Sequence, residues 1–231
     1  MLYNLIRDGD DISYIPTPLG KAALVVVFVA LLAVALYLAR KKASAAGTSQ
    51  KGTSMKLSAK QLAFCAVSIA LGTVLSNVKL YRFPFGGSIT LLSMLFVCLP
   101  GYWFGLGAGL ITGVAHGVLQ LIIDPYVIHP LQLLVDYPLA FGAFGLAGLF
   151  SNQKNGLRKG YLAGVIGRWI FATISGWIFF AEYAWEGWAP LPYSIVYNAI
   201  YIFSEAAITL IILSIPYVQN AFTRVKKLAL E

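Results

Sequence analysis

Uncharged, mostly apolar runs divide this chain almost from end to end. Between Lys21 and Arg40 no residue is charged, and Val, Leu and Ala fill most positions. A second uncharged run lies between Lys60 and Lys79, and a third extends from Phe83 to Ile123. A spanning helix takes roughly 20 mostly apolar residues, so the third run predicts two spans, about 88–100 and 103–122, divided at Pro100-Gly101. Three more spans are predicted at about 130–150, 161–180 and 193–218. Between Lys41 and Lys60 the chain is mostly Ser, Ala, Gly, Thr and Lys, which can build no core. The expected organisation is an outer tail and added transmembrane helix (1–40), a polar cytoplasmic linker (41–60) and a six-helix membrane domain (61–231). Small residues at Ala43-Ser44-Ala45-Ala46 resemble a cleavage site, but Asp8, Asp10 and Asp11 stand where a signal peptide is basic. The first span therefore reads as a retained anchor.

Composition supports an all-α membrane protein. Charged residues make up 11% of the chain, against about 25% in soluble domains, and mean hydropathy is +0.77. A soluble enzyme or nucleic-acid binder is thereby excluded, although the net charge is +8. The positive charge flanks apolar runs and so reports topology. Basic residues gather in the linker, at Lys154, Arg158 and Lys159, and at Arg224, Lys226 and Lys227. The opposite segments hold only Arg7, Lys21, Lys79 and Arg82. The positive-inside rule then places the N-terminus outside and the C-terminus in the cytoplasm. Cys65 and Cys98 lie in apolar runs and form neither a zinc pattern nor a disulfide framework.

Asp136, Arg168 and Glu205 are ionisable residues inside proposed spans, where a charge costs roughly 2.5–3.5 kcal/mol on insertion scales. Arg168 and Glu205 lie at similar depths, so an ion pair between them is the expected arrangement. Asp136, about 10 Å below the outer surface at 1.5 Å per residue, reads either as a partner for Arg168 or as a counter-ion for an entering cation. His116 and Gln120 share a helical face and read as hydrogen-bonded packing residues. Gly105, Gly109 and Gly113, and Gly142, Gly145 and Gly148, predict close helix packing. Ala66 and Ala70 have similar spacing and could face inward or toward another subunit. Tyr126 and a cluster from Phe179 to Tyr193 make the outer ends aromatic, suiting an interfacial belt or a cage for a cation. Catalytic motifs are absent: Gly47 to Gly52 has Walker glycine spacing, but Thr53 stands where Lys is required. The reading is of a non-enzyme without cofactors, for which another chain must hydrolyse any ATP.

Three segments carry a family resemblance. They are Phe83-Pro84-Phe85-Gly86-Gly87-Ser88, the run from His129 to Tyr137, and the stretch from Ile174 through Tyr183 to Asn198. Over about 61–227 the chain resembles the thiamine-specific substrate-binding subunits (S components) of energy-coupling factor (ECF) vitamin importers. The resemblance implies a six-helix bundle, here preceded by one additional helix, with a ligand held near the outer face. It implies ligand contacts from Tyr126, Asp136, Tyr137, Phe180, Tyr193 and Asn198, with residues 79–88 as a lid. It also implies a transmembrane coupling subunit and two ATPase subunits as partners, with Ala66 and Ala70 as the candidate docking patch. Two positions depart from the family. Ala172 stands where a histidine is found, and the lid has no tryptophan among Phe85, Gly86 and Gly87. The ligand is thus thiamine, a pyrimidine precursor or a related vitamin. An autonomous carrier or channel for a small organic cation, using Asp136, Arg168 and Glu205 as a polar pathway, is the alternative, and a structural membrane partner without a ligand is a third reading.

Overall fold

A computed structural model of the chain describes residues 3–8, 11–16, 19 and 57–231. The helix expected between Lys21 and Arg40, and the linker as far as residue 56, lie outside the described residues. Near the N-terminus, β1 (Tyr3–Asp8) pairs antiparallel with β2 (Asp11–Pro16). The body begins with α1 (Ala59–Ser76), slightly before the expected boundary at 61. Ser58 sets that start by a reciprocal cap: its hydroxyl accepts from Gln61 N at 3.2 Å, and its own N–H donates to Gln61 Oε1 at 3.0 Å.

A small hairpin follows, β3 (Lys79–Arg82) against β4 (Ser88–Thr90). The body then continues with α2 (Ser93–Phe104), α3 (Leu106–Ile123), α4 (Pro130–Phe150), α5 (Gly156–Phe179), α6 (Pro190–Ile212) and α7 (Pro216–Leu230). Five of these helices, α1 and α3 to α6, have 18–24 residues and are apolar enough to cross a membrane. Together they make this a multi-pass membrane protein.

Several expected boundaries move, among them the start of α5, at Gly156 rather than 161. The first span of the long apolar run starts at Ser93 rather than 88, because Ser88–Thr90 is committed to the hairpin. Its division from α3 falls at Gly105, where φ is +90°, and Pro100 lies inside α2. The last span is two helices, with α6 ending at Ile212 and Pro216 opening α7. At 1.5 Å per residue, the 12-residue α2 covers only about 18 Å, short of the roughly 30 Å hydrocarbon layer. It can be short because protein, not lipid, surrounds it: Leu95, Val97, Cys98 and Leu99 are all buried.

The half of the bundle away from the β3–β4 hairpin is held by backbone contact. Gly142, Gly145 and Gly148 recur every three residues, and residues 143–150 of α4 wind as a 3-10 helix. Three residues per turn keep such a series on one face. That face meets the glycine row of α3. A methyl group added to Gly109 would lie 2.5 Å from Gly101 Cα and 2.8 Å from Gly145 Cα. Gly113 packs as closely on the backbone of Phe141 and Gly142. Gly105 also forms the turn between α2 and α3: a methyl added there would meet nothing within 4 Å, yet its backbone faces Gly148, whose added methyl would collide with the Gly105 carbonyl carbon. At the basic rim, Arg158 donates to Leu213 O at 2.9 Å, capping the end of α6. Lys226 donates to Ser151 O and sits 3.9 Å from the centre of the Tyr102 ring, and burial there lowers its ammonium pKa.

Candidate functional site

Proline inside a helix lacks an N–H and crowds the preceding turn. In α4, Pro138 is accommodated by a wide π-helical turn over Val135–Leu139. Such turns recur at functional sites, and this one carries Asp136 and Tyr137. The α4 start is set by His129, whose Nδ1 accepts from Leu131 N at 3.1 Å, with Pro130 as the first helical residue. One turn before Asp136, the buried Gln132 supports the carboxylate. Its Nε2 donates to Asp136 Oδ2 at 2.6 Å and to Tyr126 O at 3.0 Å, while its Oε1 accepts from Ile128 N at 3.2 Å. A single side chain thus fixes both Asp136 and the loop leading into α4. Gln132 was missed in the sequence, although it lies four residues from Asp136 on the same helical face.

Asp136 opens into a cavity of about 620 Å³, within the usual range for small-molecule sites. The structure brings Tyr126, Asp136, Tyr137, Phe180, Tyr193 and Asn198 together on its wall. They are not equally free. Tyr137 accepts from Tyr126 N at 2.8 Å and donates to Asp124 O at 3.3 Å, so its hydroxyl shapes the loop and leaves the ring for a ligand. The Asn198 amide donates to Ser194 O at 2.9 Å and Ala172 O at 3.3 Å, and its oxygen accepts from Tyr201 at 2.6 Å. It therefore ties α6 to α5 more than it offers a pyrimidine edge. Tyr193 carries a buried hydroxyl with no hydrogen-bond partner among the described residues.

The mouth of the cavity is roofed by rings. Phe85 of the β3–β4 turn stacks on Tyr183 with centroids 5.0 Å apart. Tyr183 stacks on Phe180 at 6.0 Å, and Phe180 on Tyr126 at 5.9 Å. Tyr197, which sequence reasoning passed over, latches this lid to α6: its hydroxyl donates to Gly86 O at 2.8 Å and accepts from Phe85 N at 3.2 Å. Gly87, at φ +78°, lies so close to Tyr201 that an added methyl would come within 2.7 Å of the ring. A bulky residue cannot occupy that position in this closed arrangement, and Phe83 and Phe85 supply the lid's aromatic contacts. Lys79 and Asp124, 3.2 Å apart, tie the lid's base to the α3–α4 loop, an exposed pair worth about 0–1 kcal/mol.

The expected Arg168–Glu205 pair does not form. Instead, Glu205, 3% exposed, reaches from α6 to the start of α2. One oxygen accepts from Ser93 Oγ at 2.9 Å and Met94 N at 3.1 Å; the other accepts from Thr90 N at 3.3 Å and the Thr90 hydroxyl. These bonds satisfy the N-terminus of α2, which Leu92 leaves without a side-chain cap. Arg168 instead lays its guanidinium over Phe141, with Cζ 4.5 Å from the ring centre. Thr90 and Ser93 lie more than a hundred residues from Glu205, beyond any local pattern. His116 is buried between Thr73 (3.3 Å) and Gln120 (3.4 Å), in agreement with a packing role. Ala66 and Ala70 are exposed on α1. Among the described residues no His, Cys, Asp and Glu cluster could hold a metal ion.

Residues 62–224 match the family described as thiamine transporter protein (Thia_YuaJ). The thiamine transporter ThiT of Bacillus subtilis is 32% identical over 164 residues, covering 64% of this chain and 85% of that protein. ThiT of Lacticaseibacillus paracasei is 26% identical over 140 residues, covering 55% and 68% respectively. A solved structure of ThiT from Listeria monocytogenes superposes with a TM-score of 0.61 at 25% identity, covering 73% of this chain and 96% of that one. These relatives are named as transporters, not enzymes.

Proposed function

The chain belongs to the thiamine transporter protein family, and on that premise we propose that it captures thiamine, or a close relative, from outside the cell as the S component of an ECF importer. The carrying observation is Asp136: a membrane carboxylate held by Gln132 at 2.6 Å and open to an aromatic-roofed cavity. Thiamine pairs a permanent thiazolium charge with an aminopyrimidine. Asp136 supplies the opposing charge, while Phe180, Tyr126 and the Tyr137 ring supply π-faces, where cation–π contacts reach about 2 kcal/mol once water is excluded. Tyr193 has a hydroxyl available for a polar edge, and Asn198 positions α6 behind it.

Uphill transport then requires energy from other chains. We assign that task to two ATPase subunits and a transmembrane coupling subunit docking where Ala66 and Ala70 face outward on α1. The topology proposed with this role has the N-terminus outside, residues 41–60 inside and the C-terminus cytoplasmic. A carrier using Asp136, Arg168 and Glu205 as one polar path is disfavoured, because all of Glu205's contacts are spent on the start of α2. The test is a comparison of thiamine titration with uptake by proteoliposomes containing this chain alone. Tight binding without uptake supports the assignment, uptake by the lone chain supports the carrier, and an absence of vitamin binding overturns both. With the partner subunits present, replacing Ala66 and Ala70 with Leu should abolish transport and spare binding. Transport that survives the double substitution would place the docking surface elsewhere.

A further inference from the structure

Arg168 lines the cavity wall, and the proposed function leaves it without a task. Its guanidinium makes no hydrogen bond or ion pair with any described residue. No carboxylate reaches it at ion-pair distance: Glu205 is saturated by Thr90, Ser93 and Met94, and Asp136, near enough to feel its charge, is bonded to Gln132 instead. The contacts it does make are with ring faces, Phe141 at 4.5 Å and Phe144 at 5.6 Å. A guanidinium stacked in this way keeps its edge N–H donors free in a fixed plane, a geometry suited to an oxyanion.

The approach is open. Ala172 and Gly176 lie one and two turns toward the outside on the same face of α5 as Arg168, and all three line the cavity. Neither small residue covers the guanidinium. Phe141, which marks the level of Arg168, lies five residues beyond Asp136 on α4, across the π-helical turn. A negative group therefore meets a fixed cation a short distance below the carboxylate that receives the ligand's positive charge.

We propose that Arg168, backed by Phe141, forms a small-anion subsite in the cavity, filled together with the cationic vitamin. The anion is a phosphate-like or halide group, supplied either free from solution or as a phosphoryl group on the ligand's hydroxyethyl arm. The subsite rests on the thiamine reading for its partner ligand, but its chemistry can be tested without it.

The experiment uses the full chain in detergent. Thiamine and thiamine monophosphate are titrated in gluconate, chloride and inorganic phosphate at equal ionic strength, for wild type, Arg168→Gln and Arg168→Lys. A free anion predicts that wild-type thiamine affinity rises about tenfold from gluconate to phosphate or chloride, and that Arg168→Gln removes the rise. A ligand-borne anion predicts that Arg168→Gln weakens the monophosphate about tenfold while thiamine in gluconate changes less than about threefold. Arg168→Lys keeps the charge and should retain part of either effect, guarding against loss of folding in the Gln variant. Wild-type binding indifferent to the anion, with no Arg168-dependent gain for the monophosphate, overturns the subsite and leaves the vitamin reading intact. Conversely, a phosphate-induced rise in melting temperature that requires Arg168, in a protein that binds no thiamine, would retain the subsite and remove the vitamin.

Discussion

Two carboxylates lie inside this membrane bundle, and their surroundings differ in kind. Glu205 is sealed against the start of α2, where both oxygens accept hydrogen bonds from Thr90, Ser93 and Met94. Asp136 sits on a π-helical turn, takes its bond from Gln132, and opens into the cavity beneath the aromatic lid. An intramembrane acid invites a functional reading by default, but saturation separates these two. A carboxylate with every lone pair engaged holds structure, whereas one with spare capacity facing a cavity can receive a cation.

The largest effect is expected at Glu205. Replacing it with Gln sets an amide N–H against buried donors, so stability should fall by about 2–4 kcal/mol, while the folded fraction binds thiamine within about threefold of wild type. Thermal unfolding with parallel titration checks this, and a large affinity loss without destabilisation would make Glu205 a ligand residue. Should that variant not accumulate, Ser93→Ala removes one donor and should cost about 1 kcal/mol in the same assay.

Gln132→Leu sharpens the other side. It leaves the Ile128 N–H unpaired and Asp136 without its support, so stability should fall by about 1–2 kcal/mol and affinity should fall with it. A loss confined to stability would mean that the orientation of Asp136 is unimportant. Smaller effects are expected at the periphery of the site. Asn198→Ala, cutting the α5–α6 tie, should cost on the order of 1 kcal/mol of affinity by calorimetry. Tyr197→Phe frees the Phe85–Gly86 turn and should also cost about 1 kcal/mol or less, seen as faster thiamine release in stopped-flow fluorescence. Unchanged release would remove Tyr197 from control of the lid.

Much of this architecture was legible along the chain because its signals are local. Apolar runs located the long helices, and glycines spaced by four and by three marked the two backbones in contact. Asp136, Tyr126, Phe180 and Tyr193 could be grouped because the resemblance linked segments that spacing alone cannot. What escaped depends on distant approach. Charge and depth suggested Arg168 as the partner of Glu205, but four donors brought together at the start of α2 provide a better-matched environment. Likewise, Pro100 looked like the break in the long run, yet the chain bends at Gly105, where positive φ carries no side-chain strain. Gln132 passed as ordinary filler because its importance lies in three simultaneous bonds that only the folded turn assembles.

Asp136 is the residue on which the proposed capture of a cation turns. Asp136→Asn preserves size and a hydrogen-bonding side chain while removing the charge, so titration of the purified variant with thiamine isolates the electrostatic contribution. The expected result is a loss of at least about 2 kcal/mol, or roughly thirtyfold in affinity, with a melting temperature near that of the wild type. Thiamine binding left unchanged by Asp136→Asn would contradict the assignment and move the cation's counter-charge away from α4.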